Sequence, residues 1–164
     1  MNDQPPLATP AGRRRLDARL EQALRAYRDV VDSNADAAEA GDTSVWHDNF
    51  AYEENQRLMH QLGRRIHDLR ALLERVQVVA RPSAQQVAVG SRVRVRDVES
   101  GVEQEFVVAS FDDGLPAERR ISYTAPLASA LLAARVGEVR SAAIGGRERE
   151  FEVLSIQAAD EEFA

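Results

Sequence analysis

Two stretches of this chain repeat apolar side chains at alternating three- and four-residue intervals, a spacing that leaves little freedom in the fold. The first runs Leu16, Leu20, Ala23 and Leu24, Tyr27, Val30 and Val31, Asn34 and Ala38; the second runs Leu58 and Met59, Leu62, Ile66, Leu69, Leu72 and Leu73, and Val76. Each predicts a long helix with one apolar stripe. Between them Gly41 suits the left-handed position that ends a helix, and Asp42, Thr43, Ser44 and Asp48 are side chains that favour an N-cap. So short a connection makes the helices antiparallel, and a helix of roughly 28 residues is about 42 Å long. The spacing predicts a paired-helix rod over residues 12–80, turning at 41–49. Asn34, Ala35 and Ala38 hold the seam near the turn, so packing thins there and local opening is easier.

The charges point to the same turn. From Asp29 to Glu54 the chain carries eight acidic side chains (Asp29, Asp32, Asp36, Glu39, Asp42, Asp48, Glu53 and Glu54) and no Arg or Lys. Acidic runs are commonly solvated helix faces beside a helix dipole. At the apex of a stiff rod, the same run can carry a divalent cation or a repelling charge to a distant point. Trp46 and Phe50, four residues apart, are either a hydrophobic lock on the turn or a surface that stacks on a nucleotide. His47 reads as an exposed tip residue. His60 and His67 lie two helical turns apart, roughly 10 Å, too far to share one ion, and are expected in solvent. Arg57, Arg64 and Arg65, with Arg25 and Arg28, either form a patch for nucleic-acid phosphates or pair with neighbours such as Glu21 and Asp68.

Arg81-Pro82-Ser83 stops the second helix, because proline removes a donor and biases the residue before it away from helix. Residues 81–86 read as a linker. Beyond it the apolar period becomes two. Val93 and Val95 alternate with Arg92, Arg94 and Arg96; a Ser100-Gly101 turn follows, then Glu103 to Phe111. A second hairpin joins Glu138–Ile144 to Arg149–Ile156 through Gly145-Gly146, and Pro126–Ala134 between the hairpins reads as a short apolar helix. The order predicts a compact antiparallel sheet with one helix on a face, over 87–158. The fold class is therefore α+β.

The first residues, 1–11, have prolines where an export signal has its apolar core, and read as a disordered lead-in. Residues 159–164 read as an acidic tail. No apolar run reaches the roughly 18 residues of a membrane span, and no cysteine is present for a disulfide or thiolate. A cytoplasmic chain with no membrane partner is expected. A net charge of −6 argues against general coating of nucleic acid, which depends on phosphate neutralisation.

These residues resemble the Gre-type bacterial transcription elongation factors. The similarity lies in VAVGSRVRVRD (Val87 to Asp97), ISYTAPLASALLAARVGEV (Ile121 to Val139) and REFEVLSI (Arg149 to Ile156). In the first half it lies in Gly41-Asp42, in Asp48-Asn49 followed by an aromatic and an acid, and in the run from Leu58 to Val79. The resemblance implies an antiparallel coiled-coil hairpin followed by an FKBP-like domain, with bacterial RNA polymerase as partner. It implies that the FKBP-like domain docks at the rim of the polymerase's secondary channel through Asp113, Ser122, Tyr123, Pro126 and Leu127, while the hairpin enters the channel. Trp46, Arg57 and Arg64 are then the candidates for contact with transcript RNA. Asp42 and Asp48 match the family's two tip acids, which help hold a Mg2+ shared with the polymerase so that it cuts its own backtracked transcript. The free protein is then expected to bind no cofactor and to be no enzyme alone.

The family motif separates its tip acids by two residues, whereas Thr43-Ser44-Val45-Trp46-His47 stand between Asp42 and Asp48 here. A tip lengthened in this way raises a second expectation, a non-cleaving homologue that inhibits polymerase through the same channel. A third is a coiled-coil adaptor; an intramolecular hairpin is expected as a monomer, an intermolecular one as a dimer. The FKBP-like resemblance does not imply prolyl isomerisation, since fold does not confer activity and only Phe106, Phe111, Tyr123 and Phe151 could line such a pocket.

Overall fold

In the computed structural model the apolar stripes become α1 (Pro10–Glu39) and α2 (Asp48–Arg75). Residues 4–39, 48–159 and 163 are described, with the backbone alone for 34–39 and 48–52. Residues 15–75 form one unit; residues 1–14 and 76–164 form another. In the first unit Leu16 and Ala23 on α1 and Ile66, Leu69 and Leu73 on α2 are buried. Tyr27 of α1 shares a crevice with Gln56, Met59 and Gly63 of α2, as antiparallel pairing requires. Fully burying a leucine contributes roughly 1.5–3 kcal/mol, so this seam supplies the hairpin's main stabilisation. Among the described residues, none between 24 and 33 or between 53 and 65 is buried, so the packing is densest in the first turns of α1 and the last turns of α2.

The second unit starts with β1 (Leu7–Ala8), which pairs in parallel with β2 (Gln77–Val78). Thr9 then caps α1: its Oγ1 accepts from the Gly12 N–H at 2.9 Å, and Pro10 takes the first helical position, where no donor is needed. Ser110 Oγ accepts from the Thr9 N–H at 2.9 Å, and a Cβ on Gly12 would meet that oxygen at 1.9 Å, so only glycine fits. The expectation of a disordered lead-in over 1–11 is thereby corrected for Leu7 to Ala11, since Ala8, Thr9 and Ala11 are buried. The helical rod likewise ends at Arg75, five residues before the predicted 80, because the chain turns into β2.

A five-stranded sheet follows in the order β5-β4-β3-β7-β6. Its members are β3 (Ser91–Asp97), β4 (Glu103–Ala109), β5 (Arg120–Ser122), β6 (Val139–Ile144) and β7 (Arg147–Ala158). The β6–β7 turn places Gly145 and Gly146 at φ 60° and 78°, a conformation for which glycine carries no side-chain penalty. All pairings are antiparallel except β4 with β5, a parallel pair the sequence reading did not contain. Val93, Val95, Phe106, Val108, Phe151, Val153 and Ile156 pack with Leu127, Ala128 and Leu131 of helix α3 (Pro126–Leu131). On the strand positions between, Arg92 and Arg94 pair with Glu105 and Glu103, and Arg96 with Glu152; exposed pairs of this kind contribute little. Ala159, assigned to an acidic tail by the sequence, is fully buried and donates its N–H to Gly90.

Candidate functional site

The predicted site residues fall into three groups. Asp42 and Trp46 lie outside the described residues, and Asp48 is the first residue of α2. By residue type Asp42 and Asp48 are hard oxygen donors, the kind Mg2+ takes. Among the described residues, no group of three or more His, Asp or Glu side chains is placed to share an ion.

The second group lies on the helices. Arg57 pairs with Glu54 at 3.2 Å, one helical turn away, and Arg25 with Glu21 at 3.2 Å, so both are engaged within their own helix. Arg64 lines the crevice that Tyr27 shares with Met59, His60, Gly63 and His67. His60 and His67 are exposed, as their spacing predicts.

The third group lies in the segment from Asp113 to Leu127, where residues 122–126 form a surface patch. Ser122 ends β5, and its Oγ lies 2.9 Å from Thr124 Oγ1 while its carbonyl accepts from Ala125. Pro126 follows, exposed, as the first residue of α3. Tyr123 is half-buried; its N–H donates to Ala109, and its hydroxyl accepts from the Leu7 N–H at 3.2 Å. Leu127 departs from the expectation: at 8% exposed it belongs to the core and supports the patch from beneath without being offered to a partner. Asp113 is not an open carboxylate either, because its side chain faces Arg120 at 3.6 Å. Sequence reasoning missed Arg120, a buried arginine that also pairs with Glu118 at 3.1 Å. In the run Glu118-Arg119-Arg120-Ile121 nothing distinguishes this arginine from its exposed neighbour.

Residues 7–78 match the family described as "Transcription elongation factor, N-terminal", and residues 82–158 match "Transcription elongation factor, GreA/GreB, C-term". Transcription elongation factor GreA of Roseiflexus sp. (strain RS-1) is 35% identical over 139 residues, covering 82% of this chain and 86% of that protein. Transcription elongation factor GreB of Xanthomonas axonopodis pv. citri (strain 306) is 33% identical over 156 residues, covering 93% of this chain and 91% of that one. The crystal structure of GreA factor homolog 1 (Gfh1) of Thermus thermophilus is 26% identical, covers 94% of this chain and 99% of that chain, and has a TM-score of 0.42.

Proposed function

The chain belongs to the GreA/GreB family of transcription elongation factors, and on that premise we propose that it binds bacterial RNA polymerase at the secondary channel and stimulates cleavage of backtracked RNA. The Ser122–Pro126 patch docks, and the helical hairpin carries its acidic end toward the polymerase's active centre. One observation supports this reading: α1 runs to Glu39 and α2 starts at Asp48, so the two helices flank the stretch of sequence that holds Asp42. A helix of 28 residues is about 42 Å long, a reach no loop of this composition holds stiffly.

Asp42 and Asp48 would hold the ion by their carboxylate oxygens, and Arg64 would steady the transcript through a phosphate. A Mg2+ held there would supply charge neutralisation to the phosphodiester under attack. The chain alone carries out no reaction; it completes a centre that belongs to the polymerase. A second reading is favoured by the five residues between Asp42 and Asp48, where the family motif has two: the longer tip obstructs the channel and slows synthesis without cutting.

Transcript cleavage in a backtracked complex separates the two. Mg2+-dependent shortening of the RNA, reduced roughly 100-fold in Asp42→Ala or Asp48→Ala, is the expected result. Slowed elongation without cut products at saturating protein selects the inhibitory reading. Unchanged cleavage and unchanged elongation overturn both.

A further inference from the structure

We infer that Arg120 is a positioning residue, whose guanidinium fixes the shape of the 112–118 loop and of the Ser122–Pro126 patch beside it; the inference rests on that patch being the docking face.

Arginine is rarely buried without partners, because removing its charge from water is costly. Arg120 is 8% exposed and is the one arginine in the buried class among the described residues. Nη1 faces Asp113 at 3.6 Å and Nη2 faces Glu118 at 3.1 Å, while Nε is buried without an acceptor. The two loop carboxylates therefore supply the compensation for burying this charge. The backbone adds to the closure: the Leu115 N–H donates to the Arg120 carbonyl at 2.9 Å, and the Arg120 N–H donates to the Leu115 carbonyl at 3.2 Å. Asp113, Leu115 and Glu118 thus all converge on one residue of β5.

That loop does not hold its shape by local preference. Asp112 and Arg119, at φ 51° and 53°, bracket it in left-handed conformations that non-glycine residues keep only when their surroundings impose them. A Cβ at Gly114 would come within 3.3 Å of the Ser122 nitrogen, so the loop lies directly against the start of the patch. Ser122 is also two residues along the same strand from Arg120, so a change at the guanidinium reaches the patch by two routes. A pre-shaped patch binds more tightly because less ordering remains to be done on contact.

The experiment measures polymerase binding by competition against labelled wild-type chain, with thermal unfolding of each variant alongside. Arg120→Met is expected to weaken binding about 10-fold, and Arg120→Lys, which keeps the charge, to recover part of that loss. Glu118→Gln removes the carboxylate whose side chain is 61% exposed and leaves the buried Asp113 beside the guanidinium, so it is expected to weaken binding with little change in Tm. A role in stability alone would not produce that combination. If Arg120→Met does not fold, Arg120→Lys and Glu118→Gln decide: weaker binding at wild-type Tm supports the inference, and wild-type binding overturns it. Pro126→Glu reports on the face itself. Weakened binding in Pro126→Glu with wild-type binding in the clamp variants overturns the clamp alone. Wild-type binding in both Pro126→Glu and Ser122→Arg overturns the docking face and the clamp together.

Discussion

Asp97 ends β3 with its carboxylate buried, and each of its oxygens has a specific neighbour. Oδ1 accepts from the Ser100 N–H at 2.7 Å and from the Ser100 hydroxyl at 2.8 Å; Oδ2 lies 2.6 Å from Arg149 Nη2. The hydrogen bonds from Ser100, followed by the Arg149 charge, outweigh desolvation and hold this carboxyl below the ordinary aspartate value. A carboxyl depressed in the folded state adds stability that is fully present above its unfolded value of about 3.9 and is lost as the pH falls through the lower folded value. Asp97→Asn is therefore expected to lower Tm at pH 7, with the gap to wild type closing under acid. Thermal melts from neutral to strongly acidic pH check this, and an equal gap at every pH would remove Asp97 as the titrating group. The same contacts tie the β3–β4 turn to β7, so the loss falls on the sheet.

At the scale of elements, the hairpin's stabilisation is uneven along its length. Leu16, Ala23, Ile66, Leu69 and Leu73 are buried, whereas Val31 and Leu58 stay largely exposed. Truncating a buried leucine removes transfer energy and leaves a cavity, so Leu69→Ala is expected to cost about 2–4 kcal/mol of hairpin stability. Amide exchange on the full chain is the matching measurement: protection should be highest near 16–23 and 66–73 and fall toward 33 and 53, and uniform protection would contradict it. The seam was legible in the sequence because long helices repeat their period many times. The two β-hairpins were legible for a like reason, through their period of two and the Gly145-Gly146 pair. The strands β1, β2 and β5 were not, since two or three residues establish no period and their pairing is decided by chain segments far away. The site divides in the same way. The charge run marks the acidic connection, but the burial of Leu127 and the Asp113–Arg120–Glu118 cluster depend on which segments the fold brings together.

At the scale of the molecule, the globular unit is discontinuous in sequence: residues 1–14 and 76–164 form it, and the hairpin of 15–75 is an insertion. Within this unit, residues 6–9 are tied to 76–164 chiefly through backbone groups. Gln77 and Val79 donate to Pro6 and Ala8, both at 2.8 Å, and Phe111 donates to Leu7 at 3.0 Å. Leu7 donates to the Tyr123 hydroxyl at 3.2 Å and Thr9 to Ser110 Oγ at 2.9 Å. At roughly 0.5–1.5 kcal/mol for each of these five bonds, with Ala8, Thr9 and Ala11 buried beside them, the N-terminal strap contributes about 3–7 kcal/mol. Residues 76–164 alone are then an incomplete unit, although the family match in this half starts at residue 82. Two fragments test this. In one, residues 1–14 are joined to 76–164 by about eight Gly/Ser residues, a linker whose r.m.s. reach is roughly 15 Å; the other is 76–164 by itself. Each kilocalorie per mole shifts Tm by several degrees in a unit of this size, so the joined fragment is expected to melt at least about 10 °C above the bare one. Coincident melting of the two would show that the strap adds nothing, and would return residues 7–11 to the role of a passive lead into α1.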